Sequence, residues 1–365
     1  MDPRVREHAE TLVDWSARID PGDDVVLSVG EGAHDLAVAV AEALGEREAN
    51  LLATYDSGEV SRAYISSYEG TFEDDPAFEL ALYERADSVL SLGGSRNVSA
   101  TADVPGDRRQ AYSRSRQGIR EARLDTDWVK TVHPTRALAQ RAGMAYEAYQ
   151  DFVYGAVLRD WESLAEEMSQ LKDILDAGSE VRLRKDADGT DLTMSIAGRT
   201  AINSAASVAY DSHNLPSGEV FTAPEATEGV VHFDVPMTVQ GRTVRDVRLE
   251  FEDGAVVDWA AGAGEDAITE VIETDDGARR LGELGIGMNR GIDRPTDSIL
   301  FDEKMAGTVH LALGRAYSDC VPDGESGNES AVHVDLLTDM RESGTELLVD
   351  GEVVQRDGVF RWEDG

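Results

Sequence analysis

Apolar positions along this chain follow two rhythms, and the change from one to the other divides it. In the first half, short apolar runs of the kind that form buried strands alternate with longer segments whose apolar residues recur at helical spacing. DVVLSVG (24–30), NLLATY (50–55), SVLSLGG (88–94) and DWVKTVHP (127–134) read as strands, the last stopped by Pro134. Between them, residues 3–18, 33–46, 77–86 and 106–124 read as helices. Strands separated by helices of this length imply βαβ units and a parallel sheet. From Thr135 to Ala177 the pattern is helical, with a break near Gly143 and a stop at Gly178. Alternation then takes over. EVRLRKDADGTDLTMSIAG (180–198) forms two strands around an Asp-Gly turn, and residues 230–239, 241–261 and 345–362 continue as antiparallel strands and turns. The expected architecture is an α/β N-terminal domain with a mostly parallel sheet over residues 1–178. An α+β, strand-rich domain over residues 179–365 follows it.

Charge changes the picture next. The 365 residues carry 72 acidic and 34 basic side chains, a formal net charge of -38. Only Lys130, Lys172, Lys185 and Lys304 are lysines; the other basic residues are arginine. Periodic apolar segments recur from end to end and 41% of residues are hydrophobic, so the charge does not signal disorder. It describes a folded protein with an acidic, lysine-poor surface, soluble in high salt where screening relieves self-repulsion. A halophilic source, an archaeon, is the expectation. The same charge argues against nucleic acid as a partner, because phosphate binding wants a basic patch and none is visible in the sequence. Cys320 is the single cysteine, so no intrachain disulfide can form. The start, MDPRVREHAE, is charged and helical in character rather than a signal peptide, and no apolar run nears the ~18 residues of a membrane span. A cytoplasmic location is expected.

Candidate chemistry lies mostly in the second half. SLGGSRN (91–97) follows a strand but lacks both the GK[ST] ending and the GxGxxG spacing, so a plain strand-to-loop turn is preferred over nucleotide binding. In NLPSGEVFTAPE (214–225), prolines and glycine fix a turn around Glu219. A carboxylate in such a setting is costly unless it is solvated, paired or metal-bound. GARRLGELGIGMN (277–289) sets Glu283 among glycines that permit close backbone approach, although an exposed acid at a helix end fits the same letters. ILFDEKMAGTVHLALGRAY (299–317) holds His310 in an apolar run, where a lone histidine is ordinarily core. Tyr317, seven residues on, would share its face on a helix. Lys304, beside Asp302 and Glu303, hints at a specific pairing in a chain that prefers arginine. In GNESAVHVDLL (327–337), His333 and Asp335 stand two apart, so on a strand they share a face while Val332 and Val334 take the other. Two Glu, two His and one Asp in a single domain are the imidazole and carboxylate donors that a two-metal hydrolase requires.

These segments, in this order, resemble the M29 family of metallo-aminopeptidases, the thermophilic-type aminopeptidases. NLPSGEVFTAPE, GARRLGELGIGMN, FDEKMAGTVHLALGRAY and NESAVHVDLL carry the match, and PTRALAQRAGMAYEAYQDFVYGAVLRDW (134–161) extends it into the first half. The resemblance implies Glu219, Glu283, His310, His333 and Asp335 as metal ligands and Tyr317 as an active-site tyrosine. It implies two divalent ions (Zn, Co, Mn or Mg), peptide substrates with a free N-terminus, and a homodimer with enclosed sites. Glu283 is the first choice for general base. The chain is shorter than typical members, and Tyr317 to Asn328 looks compact. Two other readings stay open: a two-metal hydrolase of another small amide or ester, and a small-molecule-binding protein that uses the α/β domain. The lack of an Arg/Lys cluster beside the ligand positions argues against phosphate substrates.

Overall fold

The structure is a computed structural model that describes residues 2–322 and 324–363. Its internal contacts divide the chain into two compact units, Met1–Arg159 with Ala206–Pro216, and Asp160–Ala205 with Ser217–Gly365.

The first unit is built on β1 (Asp24–Gly30), β2 (Asn50–Asp56), β3 (Ser88–Gly93) and β4 (Asp127–Val132), the strands that the apolar runs predict. A parallel sheet runs β2-β1-β3-β4, and a short strand from the returning segment, Asn214–Leu215, adds to its β4 edge. One face buries Leu27, Val29, Leu90, Leu92 and Val129. Helix His34–Glu46 packs on β1 and β2, burying Leu36, Ala37, Val40 and Leu44 at helical spacing. Each fully buried Val or Leu here contributes roughly 1.5–3 kcal/mol. Two details differ from the sequence reading. Helix Gly58–Ser67 forms where no element is expected, because only Ile65 on it is buried and its apolar rhythm is faint. Residues 106–124 form two helices, Gly106–Arg114 and Gln117–Leu124, divided at Ser115 and Arg116.

The second unit begins earlier than the expected boundary at 178. Helix Trp161–Ala177 belongs to it by contacts, burying Leu164, Ala165, Met168, Leu171 and Leu175. The periodicity shows that this helix has an apolar face but not which core receives it. The strands that follow are β5 (Glu180–Lys185), β6 (Thr190–Ser195), β7 (Ile202–Ser204), β8 (the Asn214–Leu215 strand of the first unit), β9 (Glu219–Thr222), β10 (Glu225–Phe233), β11 (Met237–Val239), β12 (Arg242–Glu252) and β13 (Ala255–Ala263). Next come β14 (Leu281–Gly287), β15 (Thr308–Gly314), β16 (His333–Asp339), β17 (Thr345–Val349), β18 (Glu352–Arg356) and β19 (Val359–Phe360). One antiparallel sheet runs β11-β12-β10-β6-β5-β17-β18-β19, with β13 paired to β12; β5 and β6 form the expected hairpin. A second antiparallel sheet runs β16-β15-β14-β9-β7, and every residue of β14 and β15 is buried. Helix Trp161–Ala177 contacts β7 and β9 of this sheet, and Asn203 Nδ2 donates to the carbonyl of Ala165 at 2.9 Å. Among the described residues, no helix is long and apolar enough to cross a membrane.

Candidate metal centre

Register places the five expected donors on one face of the β16-β15-β14-β9-β7 sheet. Paired residues of neighbouring strands share a face, as do residues two apart along a strand. Glu219 pairs with Gly287, Gly285 with His310, Ala312 with Asp335, and Gly314 with His333. Glu283 stands two residues before Gly285 and shares its face. The opposite face holds Val220, Leu284, Ile286, Val309, Leu311, Leu313 and Leu336, all buried. The chain therefore alternates donors or small residues with large apolar ones.

Local structure fixes each donor. The turn before Glu219 needs Gly218, whose φ of +110° favours glycine and where a Cβ would stand 2.9 Å from Asn289 Cβ. Gly218 N donates to Ser204 O at 2.9 Å, and Asn289 Nδ2 to Ser217 O at 2.8 Å. Gly285 provides room of another kind: a Cβ there would collide with the His310 ring. The entry to β16 is tied down by Asp275, which accepts from Ser330 Oγ and from Ala331 N, each at 2.8 Å.

Glu283 is the centre of the arrangement. His310 Nε2 lies 3.1 Å from its Oε1 and His333 Nε2 lies 3.1 Å from its Oε2. Asp335 Oδ1 is 3.5 Å from His333 Nε2, and Glu219 Oε2 is 3.8 Å from His310 Nε2. Ligand atoms of Glu283, His333 and Asp335 all fall within 4.8 Å of one another. Both imidazoles turn their other nitrogen to a backbone carbonyl, His310 Nδ1 to Glu303 O at 3.1 Å and His333 Nδ1 to Arg315 O at 2.8 Å. A carbonyl can only accept, so Nδ1 carries the proton and Nε2 faces the carboxylates. A neutral Nε2 presents a lone pair, and a lone pair against a carboxylate calls for a cation between them.

Without an ion, the same carboxylates draw a proton to each Nε2, the place a metal ion would take. Burial alone pushes His333 down, but Asp335 and Glu283 outweigh it and raise its pKa to about 10. His310 is raised likewise by Glu283 and Glu219 against the effect of burial. Burial pushes Glu283 up, yet hydrogen bonds from the two imidazoles bring it down to about 2. Glu219 goes the other way: burial dominates and raises it despite Lys304. Its Oε2 is buried and accepts no hydrogen bond. An orphaned carboxylate oxygen and two imidazoles with directed Nε2 atoms fit divalent cations, since imidazole and carboxylate are their common protein ligands.

Around these five lie residues that the sequence reading reached less fully. Lys304 is completely buried and pairs with Glu303 and with Glu219, 3.3 Å from Nζ to Oε1. The hinted pairing exists, but Asp302 takes no part in it; its carboxylate accepts from Thr296 and Ser298. The carbonyls of Glu303 and Arg315 were invisible as histidine anchors because a backbone atom leaves no letter. His310 sits on a strand, so the helical spacing to Tyr317 does not apply. Tyr317 lies past the end of β15, with its ring 5.1 Å from that of His333 and 5.6 Å from that of Phe221. It is 43% exposed, next to the donors rather than among them. The turn of SLGGSRN sits in the first unit at the end of β3.

A buried sheet face that combines imidazoles and carboxylates in this way fits the donor set of a metal-dependent hydrolase. The family model described as "Thermophilic metalloprotease (M29)" matches residues 1–360. The chain belongs to this family, a family of metallo-aminopeptidases. Aminopeptidase T of Thermus aquaticus is 28% identical over 97% of both chains. Aminopeptidase AmpS of Bacillus subtilis is 24% identical over 98% of this chain and 97% of its own. The solved structure of wild-type AmpT from Thermus thermophilus superposes with a TM-score of 0.85 at 25% identity, covering 98% of this chain and 99% of that one.

Proposed function

We propose that this chain releases N-terminal residues from peptides, with two divalent ions held by Glu219, Glu283, His310, His333 and Asp335. The observation that carries the reading is the common sheet face on which Glu283 lies between two imidazoles whose Nδ1 atoms are anchored to carbonyls. Bound divalent ions would supply Lewis-acid polarisation of the scissile carbonyl and a water ionisable near neutral pH. The protein's own residues do the rest. Glu283, held ionised by its neighbours, accepts the proton of the attacking water on a carboxylate oxygen. The free α-amine of the substrate is drawn by the carboxylates, which favours exopeptidase action. Tyr317, whose hydroxyl is kept protonated by partial burial and then by Glu283, donates to the developing oxyanion. Lys304 neutralises Glu219 on its outer side and holds it in place.

The test is hydrolysis of Leu-p-nitroanilide in high salt. Activity should vanish with a chelator and return with Co²⁺, Mn²⁺ or Zn²⁺. A purified protein with neither activity nor bound metal by elemental analysis would overturn the reading. A homodimer and a requirement for high salt belong to the same proposal, and sedimentation and activity across a salt series test them.

A further inference from the structure

The donor face of the β16-β15-β14-β9-β7 sheet also has an apolar part, which metal binding does not use. On β9, Phe221 stands two residues from Glu219 and points the same way. It pairs with Gly285 of β14 on one side and with Ile202 of β7 on the other, so Phe221 and Ile202 both share the face of the five donors. The His310 ring takes the space over Gly285, directly beside the strand position of Phe221. Ser204, opposite Glu219, completes this flank, its hydroxyl 2.6 Å from Ser217 Oγ. Beyond Glu219, which Lys304 already pairs, neither β7 nor β9 puts a charged side chain on this face.

Burial sets Phe221 and Ile202 apart. On the opposite face Val220, Leu284, Ile286 and Leu311 are closed off completely, and on the donor face Leu337, which pairs with His310, is buried as well. Phe221 and Ile202 keep part of their surface open. The Tyr317 ring joins them, with its centroid 5.6 Å from that of Phe221 at an interplanar angle of 58°, a distance at which aromatic rings attract. The same ring lies 5.1 Å from His333 on its other side. A partly open, uncharged aromatic wall therefore borders the imidazoles and carboxylates, in a chain with 72 acidic residues against 34 basic ones.

The first residue of a peptide has the chemistry to fill this place. In the peptidase reading, on which this inference rests, its α-amine goes to the carboxylates and its carbonyl to the metal ions. Both groups leave the same Cα, so the side chain on that carbon is held next to the donors. We infer that this side chain packs on Phe221, Ile202 and the Tyr317 ring, and that the protein selects peptides beginning with an apolar residue of leucine size or larger. A charged side chain there would lose its water and gain no partner from β7 or β9.

The test compares leucine with alanine at the first position, in turnover and in binding. The two p-nitroanilides report kcat/KM. The two amino-acid hydroxamates, which bind metal centres and are not cleaved, report Kd by calorimetry on the metal-loaded protein. One methylene in an apolar pocket is worth roughly 10–200-fold, so leucine should be favoured at least tenfold in both measurements. Phe221→Ala should bring each ratio close to one. Ile202→Phe, which fills the wall from a partly exposed position, should weaken phenylalanine hydroxamate at least tenfold more than alanine hydroxamate. Lost turnover with the hydroxamate preference intact would count against the peptidase reading and for the wall. An equal loss for both side chains in Phe221→Ala would make Phe221 a support for Tyr317 instead of a substrate contact, and would overturn the assignment. A wild-type ratio near one, selectivity unchanged in both variants, or no hydroxamate binding at all would overturn it too.

Discussion

Replacing Gly285 by alanine tests the metal centre through a single methyl group. Gly285 pairs directly with His310 across β14 and β15. A Cβ at this position stands 2.8 Å from His310 Nδ1 and nearer still to Cε1 and Nε2. Heavy atoms in contact settle at ~3.5–4.0 Å, so clearing the nearest ring atom takes a shift of roughly 1.5 Å. The φ of Gly285 is not in the left-handed region, so alanine adds bulk without backbone strain. The ring has little freedom to yield, being anchored at Nδ1 to the Glu303 carbonyl and enclosed by a fully buried strand. Overpacking of this kind costs about 1–3 kcal/mol, which should lower the melting temperature of the chelator-treated protein. The larger effect should be on metal. Disturbing the orientation of a histidine ligand costs on the order of 10–100-fold in metal affinity, and we take the upper value. At a metal concentration 100 times the wild-type Kd, one bound ion stabilises the wild-type fold by ~2.7 kcal/mol; after a 100-fold loss the same concentration gives only ~0.4 kcal/mol. Melting with and without metal, together with chelator competition for Kd, measures both quantities. A Gly285→Ala protein with wild-type metal affinity and turnover would refute the argument that His310 needs the space above residue 285.

Three other perturbations reach different parts of the molecule. Tyr317→Phe should lower kcat by ~10²–10³, the cost of removing one oxyanion donor, with metal content unchanged; loss of metal would instead make Tyr317 a ligand. Lys304→Met leaves Glu219 buried without its cation, a change worth ~3–5 kcal/mol when a buried pair is broken. Urea unfolding should show that loss in chelator-treated protein and a smaller one with metal bound; equal losses would remove Lys304 from the electrostatics of the centre. In the first unit, burial and then His133 hold His8 down to about 3, while its Nε2 meets Thr131 Oγ1 at 2.7 Å. Unfolded histidine titrates near 6.5, so the unfolded state binds the proton first. Stability is then full above that pH and is lost as pH falls toward 3, by ~2 kcal/mol at pH 5. His8→Gln should flatten this part of the urea-unfolding profile between pH 7 and 5, and an unchanged slope would exclude His8 as the source.

How much of the fold the letters disclose depends on how one-sided each element is. The parallel strands of the first unit are short apolar runs between helices, and their order along the chain is readable. Their order across the sheet is not, and it is this order that creates the reversal between β1 and β3. A cavity of about 440 Å³ there is lined by Ser28, Ser91 and Lys130, which align only once the strands are in register. Helix Trp161–Ala177 shows the same limit: its apolar stripe was plain, but its partner strands β7 and β9 are reached only after the chain turns back. The boundary drawn after it followed the change of rhythm, whereas the contacts follow the core.

The five candidate donors could be named from the sequence but their arrangement could not, and the reason is specific. His333 and Asp335 could be read as sharing a face because two residues apart on a strand is unambiguous. Val334 and Leu336 duly take the opposite face, pairing with Leu313 and Leu311. GELGIG and HLALG carry the same period, with Glu283, Gly285 and Gly287 or His310, Ala312 and Gly314 on one face and Leu or Ile on the other. Their donor face is occupied by glycine and alanine, so the alternation is one of size rather than of polarity. A hydropathy reading sees only an apolar run and leaves helix, turn and strand equally open. Burial of both faces then hides the strand further, since no polar side is turned to water. The small residues are thus the missing half of the signal. They mark where imidazole and carboxylate lie across a neighbouring strand, so a donor two residues from a glycine inside an apolar run is stronger grounds for a buried centre than the donor alone.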